Sequence, residues 1–243
     1  MHQPRKRFGQ HFLHDARVLR RIADAIAPRA ADVVVEIGPG EGALTRLLLE
    51  TVEQLHVIEV DRDLAARLAR EFPPERLRVL CADALEVDFR AFAAPLRVVG
   101  NLPYNISTPL LFHLARFADR VRDMHFMLQR EVVDRMLAAP STAAYGRLSV
   151  SLQARFRMQK LFNVASGAFR PPPKVDSAVV RLEPLAAPLQ IDEELLRRAF
   201  SARRKTLKNA LPGVDFVAAG IDPGLRPENL SAADYARLSA CAR

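Results

Sequence analysis

Short apolar runs alternate with helical stripes along the first part of this chain. Residues 33–37, 55–60, 77–81, 96–99 and 124–128 are mostly apolar, the first four rich in Val, Ile and Leu, as strands buried on both faces are. Between them fall helical patterns. Val18, Leu19, Ile22, Ala23 and Ile26 follow a capping Asp15, residues 43–52 form a second stripe, and Leu64, Leu68 and Phe72 follow Asp61 or Asp63. Further helices are predicted at 108–117 and 130–138. Strands alternating with helices predict a parallel sheet with helices on both faces. The pattern changes after Tyr145, where a helix over 146–155 precedes two strand-like stretches, 160–164 and 178–182, read as an antiparallel pair on the sheet edge. Residues 184–188 read as a linker, and 192–240 are helical in pattern. The expectation is an α/β domain over 1–184 and a small all-helical domain over 185–243.

Two breaks in this pattern carry chemistry. The first is Glu36-Ile37-Gly38-Pro39-Gly40-Glu41-Gly42, between a strand and a helix, where glycines let a ligand approach the backbone closely. Glu59 ends the next strand and is placed to take both hydroxyls of a ribose, while Asp83 follows the third strand and can accept from an adenine amine. In an open parallel sheet these positions line up along the carboxyl ends of the strands, where ligands bind. Gly38-x-Gly40-x-x-Ala43 also fits a dinucleotide fingerprint, but Glu41 has the wrong charge for a pyrophosphate. S-adenosylmethionine has no phosphate and carries a sulfonium cation, so Glu36, Glu41, Glu59 and Asp83 favour it.

The second break is Asn101-Leu102-Pro103-Tyr104, directly after the strand at 96–99. An amide, a rigid turn and an aromatic face at one point suit an exocyclic amine on a flat ring: the amide oxygen and a turn carbonyl accept its N–H groups, and the ring stacks.

Charge widens the picture. The net charge of +8 and a pI near 10.2 favour a polyanionic partner, most plainly nucleic acid. Arg197, Arg198, Arg203, Arg204, Lys205 and Lys208 follow one another without an intervening acid, and Arg5, Lys6 and Arg7 form a second basic patch, so both are expected to meet RNA. The stretch at Gln10-His11 is placed to fold over the cofactor. The 2 cysteines lack metal spacing and a disulfide partner pattern, and the 6 histidines show no paired spacing, so no metal is expected. No apolar stretch reaches membrane-spanning length, and the basic start lacks a signal peptide's apolar core. A soluble cytoplasmic protein is expected.

Together these residues resemble the small-subunit ribosomal RNA adenine dimethyltransferase family. The likeness runs through Phe8-Gly9-Gln10-His11-Phe12-Leu13, residues 36–45, 57–61, 101–108 and 169–180, and Phe200-Ser201-x-Arg203-Arg204-Lys205-Thr206-Leu207. It implies a Rossmann-like methyltransferase sheet using S-adenosylmethionine, with cofactor contacts at His11, Leu13, Gly38, Glu59, Asp83 and Asn101. Position 11 is commonly Asn in that family. The large-subunit erythromycin-resistance methylases share much of the pattern, but Leu102 and Val175-Asp176-Ser177-Ala178 look nearer to the small-subunit branch. The resemblance further implies dimethylation of two adjacent adenines in a terminal hairpin loop by a monomer acting on the immature subunit. Asn101 and the Leu102 carbonyl would then accept the N6 protons, Pro103 would hold the turn, and Tyr104 and Phe169 would face the two sides of the base. A non-catalytic RNA-binding assembly factor is the alternative class, and an intact Asn101–Tyr104 motif argues against it.

Overall fold

The computed structural model describes residues 10–241. In chain order its elements are β1 (Phe12–Leu13), α1 (Ala16–Ile26), β2 (Val33–Ile37), α2 (Ala43–Leu49), β3 (Leu55–Ile58), α3 (Arg62–Glu71), β4 (Leu77–Leu80), β5 (Leu96–Asn101), α4 (Ser107–Ala115), β6 (Val121–Gln129), α5 (Arg130–Met136), α6 (Arg147–Gln153), β7 (Phe156–Val164), β8 (Phe169–Arg170), β9 (Ser177–Pro184), α7 (Glu193–Ser201), α8 (Leu207–Ala210) and α9 (Ala232–Cys241). Asp15 and Asp61 cap α1 and α3, as their side chains accept from backbone N–H groups of the first turn.

Seven strands form one sheet in the order β4-β3-β2-β5-β6-β9-β7. Strands β4 to β6 are parallel, and β9 runs antiparallel to β6. The two late strands therefore join at the β6 edge. Val34, Val57, Val99, Met127 and Val179 pack with Leu19, Ile22 and Ile26 of α1 and with Leu44 and Leu48 of α2 in one core. The alternate positions Val35, Val98, Phe126 and Leu128 are buried too, so both faces of the sheet are covered. The order reverses at β2, which has β3 on one side and β5 on the other, and this opens a crevice at their carboxyl ends.

The chain divides into two compact units, one reaching Val133 and resuming over Gln159–Glu183, the other made of Asp134–Met158 and the chain from Pro184. This differs from the expected division, because 134–158 groups with the C-terminal helices. The reason lies in α6: Val150 and Ala154, with Tyr145 before them, are buried in a second core with Leu196, Leu207, Leu230, Tyr235 and Leu238. Residues 184–188 are also more than a linker, since Leu185 and Leu189 donate their N–H groups to the Arg155 and Ala154 carbonyls. Among the described residues no strand follows Pro184, and no helix is long and apolar enough to cross a membrane.

Candidate active site

The crevice is a cavity of about 1060 Å³ inside the first unit, and Gly38, Glu59 and Asn101 meet in its wall. Two glycines make the approach possible. Gly40 has φ +59°, and a Cβ there would lie 2.9 Å from the Phe12 ring. Gly100 comes so close to β2 that a Cβ would fall onto the Ile37 carbonyl.

Glu59 is 4% exposed, and its two carboxylate oxygens accept from the Gly40 N–H at 3.1 Å and the Asp61 N–H at 2.9 Å. Burial pushes its carboxyl up, while the Asp61 and Gly40 amides hold it down. Those two bonds fix the carboxylate and leave lone pairs for hydroxyl donors. Glu36 is buried beside it and accepts from the Thr45 hydroxyl at 2.7 Å. Burial raises the Glu36 carboxyl to about 7. Asp83 lines the cavity and accepts from the Leu85 N–H at 2.9 Å. Glu41 is different: Arg67 pairs with it at 3.1 Å, so its charge is largely answered and its force against a pyrophosphate is smaller than the sequence implies. The case for S-adenosylmethionine then rests on Glu36, Glu59 and Asp83, which suit hydroxyls, an amine and a cation.

Asn101 ends β5, and its Nδ2 donates to the His11 carbonyl at 2.9 Å. That bond sets the amide, so Oδ1 is the atom left as acceptor. Leu102 donates its N–H to the Met127 carbonyl, and its own carbonyl accepts nothing from the described residues. The Pro103 carbonyl is already used by Ile106 N–H and Ser107 Oγ. Two free acceptors, Asn101 Oδ1 and Leu102 O, thus come from consecutive residues. The Tyr104 hydroxyl is tied to Ser177 Oγ at 2.6 Å, and its ring stacks with His11 at 5.5 Å between centroids.

The segment from Gln10 lies along the cavity wall. Gln10 donates to Asp61 at 3.1 Å, His11 Nδ1 bonds the Pro171 carbonyl at 2.7 Å, and β1 pairs with β8. Leu13 lines the cavity from this segment. Ser177, Thr45 and Gln10 hold site residues in place, and only spatial proximity reveals the first two.

Phe169 does not reach the cavity. It is 2% exposed in the first core, opposite Leu13 in the β1·β8 pair, and of the two only Leu13 also reaches the cavity wall. The second face of a base is therefore not offered by Phe169. In the second unit Arg203 is held by Glu228 and by the Ala143 carbonyl, and Arg197 pairs with Glu194. The acid-free run thus finds acids across the fold, and Arg204 and Lys205 remain exposed with no ion pair to a described residue. Arg5, Lys6 and Arg7 lie outside the described residues. Among the described residues no group of three or more His, Cys, Asp or Glu is placed to hold a metal ion.

A parallel sheet reversing at β2, a Gly-rich turn and a buried carboxylate fixed beside it define a Rossmann-like, S-adenosylmethionine-dependent methyltransferase. The chain belongs to the ribosomal RNA adenine dimethylase family, whose profile matches residues 1–242. It is an rRNA adenine N6,N6-dimethyltransferase. Ribosomal RNA small subunit methyltransferase A of Thiobacillus denitrificans is 59% identical to it over 250 residues, covering 99% of this chain and 98% of its own. The protein of that name from Aromatoleum aromaticum is 59% identical over 248 residues, covering 98% and 94%. Similar solved structures include a dimethyladenosine transferase from Plasmodium falciparum, with 28% identity, a TM-score of 0.78 and coverage of 94% and 96%. The 23S rRNA methyltransferase ErmE shows 26% identity, a TM-score of 0.71 and coverage of 95% and 99%.

Proposed function

We propose that this chain dimethylates N6 of two adjacent adenines in the 3′-terminal hairpin loop of small-subunit rRNA, on the immature subunit in the cytoplasm. The small-subunit reading is supported by the 59% identity to proteins named for that subunit, against 26% to ErmE. The observation that carries the chemistry is the Asn101 amide, whose orientation is set by the His11 carbonyl.

When bound, S-adenosylmethionine supplies a methyl group on a positively charged sulfur. Glu59 holds the ribose hydroxyls, Asp83 accepts from the cofactor's adenine amine, and the turn at Gly38 lets the chain close on it. The Asn101 backbone carbonyl faces that turn, 3.6 Å from where a Gly38 Cβ would stand, and is left for the cofactor's ammonium. The target N6 lone pair is delocalised into its ring. Asn101 Oδ1 and the Leu102 carbonyl accept its two N–H bonds, localise the pair and aim it. With the cofactor bound, that pair would accept its methyl group, and the proton lost from N6 would pass to solvent or to one of these carbonyls. Positioning carries much of the rate, as effective molarities reach roughly 10⁵ M or more. Tyr104 stacks on the base, and Pro103 keeps the turn rigid. A base inside a duplex cannot enter, so the target is a loop or flipped nucleotide. Arg204 and Lys205, with Arg203 once released from Glu228, and Arg5, Lys6 and Arg7 meet phosphates.

Asn101→Ala is expected to lower the single-turnover rate by about 10²-fold, the scale of losing one positioned hydrogen-bonding group. Cofactor affinity should stay within a few fold by calorimetry, because the backbone carbonyl remains. Tyr104→Phe keeps the stack and should stay near parental, whereas Tyr104→Ala should not. A near-parental rate for Asn101→Ala sinks this assignment.

A further inference from the structure

We propose that Arg170 binds a backbone phosphate next to the target adenosine and thereby adds to the affinity for the RNA; this rests on reading the cavity as the site of adenine methylation. The β1·β8 pair has two faces. Leu13 and Phe169 turn into the core, so their neighbours Phe12 and Arg170, also directly opposite one another, share the other face. Phe12 lies against Gly40 on that face, and Arg170 lines the same cavity. Arg170 is exposed, and its guanidinium makes no ion pair or hydrogen bond to a described residue. The other two arginines of the cavity wall are answered, Arg46 by Glu71 and Arg67 by Glu41. Arg170 is thus the one unanswered guanidinium of the wall among the described residues.

Its surroundings favour an RNA phosphate. The interior of the cavity holds the carboxyl groups of Glu59 and Asp83, which repel an incoming polyanion. An exposed guanidinium at the mouth offsets that repulsion, and its planar fork matches two phosphate oxygens. The next carbonyl along, that of Pro171, holds His11, whose ring stacks on Tyr104. Arg170 is therefore one residue from the backbone that braces the base platform.

The test uses the full-length protein and small-subunit particles lacking the N6 methyl groups, with Arg170→Gln and Arg170→Lys. Arg170→Gln should raise the KM for particles roughly tenfold, the scale of one charge-assisted contact. It should flatten the log–log salt dependence of particle binding by about 0.7–0.9. The kcat at saturating particles and the affinity for S-adenosylmethionine should stay near parental. Arg170→Lys should restore the salt slope but only part of the KM, because the point charge returns without the fork. An unchanged KM and slope in Arg170→Gln overturns the proposal alone. A matching loss of cofactor affinity also overturns it, assigning the guanidinium to the cofactor's carboxylate. Absence of N6 methylation by the parental protein overturns the reading beneath it.

Discussion

Glu36 shows how one residue ties burial to cofactor choice. It accepts from Thr45, lines the cavity, and is raised by burial to about 7 against 4.5 for the free side chain. The free protein therefore holds a proton there below about pH 7. A sulfonium in the cavity favours the ionised carboxylate, so binding releases that proton, and affinity rises as pH increases through 7. S-adenosylhomocysteine lacks the sulfonium charge and should not follow. Calorimetry from pH 6 to 8 should show the affinity ratio of S-adenosylmethionine to S-adenosylhomocysteine climbing several fold, and Glu36→Gln should level it. A ratio independent of pH in the parental protein would remove Glu36 from cofactor recognition.

At the scale of elements, β5 joins the site to the core. It ends in Asn101, and two residues into the strand Arg97 makes a bidentate pair with Asp123 of β6, at 2.9 and 2.8 Å. Arg97 also bonds Asp32 and the Ile26 and Ala27 carbonyls that end α1. Burial raises the Asp123 carboxyl, but His125 and Arg97 outweigh it and hold it at about 2. Arg97→Met strips that buried carboxylate of its bidentate partner and leaves it only His125 at 3.6 Å and Arg181 at 4.0 Å, which costs about 3 kcal/mol. Urea unfolding at pH 7 should show the loss. The folded carboxyl lies below its free value of 3.8, so the stability it contributes is present above that pH and fades as pH falls toward 2. The gap between parent and variant should narrow with it, and a loss under 1 kcal/mol at pH 7 would contradict this account. The element order was legible because buried parallel strands read as apolar runs and the Gly-rich turn marks where the sheet meets its ligand. The Arg97–Asp123 pair was not legible, since neither residue has a local signal. Phe169 was misplaced for a related reason: its burial in the first core comes from packing with residues far away in sequence, Leu13 opposite it among them. The Asn101 turn could be read because it sits in four consecutive residues, yet the His11 carbonyl that orients its amide could not.

The whole molecule combines two cores with a net charge of +8. The second core explains why the expected boundary near 185 captured only one of the three crossings: α6 carries too little polar periodicity to declare its partner, and it is Tyr145, Val150 and Ala154 that commit it to the helical unit. The first unit by itself contains the cofactor cavity, the two amine acceptors and Arg170. Exposed Arg204 and Lys205 belong to the second, so RNA affinity is expected to draw on both units and methyl transfer on the first. The central claim is that the acceptors after β5 direct a methyl group to N6 of adenine in small-subunit rRNA. The most direct measurement incubates the protein with labelled S-adenosylmethionine and small subunits lacking the modification, then maps the label by nucleotide and atom. The account predicts label only on N6 of two adjacent adenines in the 3′-terminal hairpin loop, reaching two methyl groups on each. Label on another base or ring atom, or on 23S rRNA in preference to the small subunit, would contradict it.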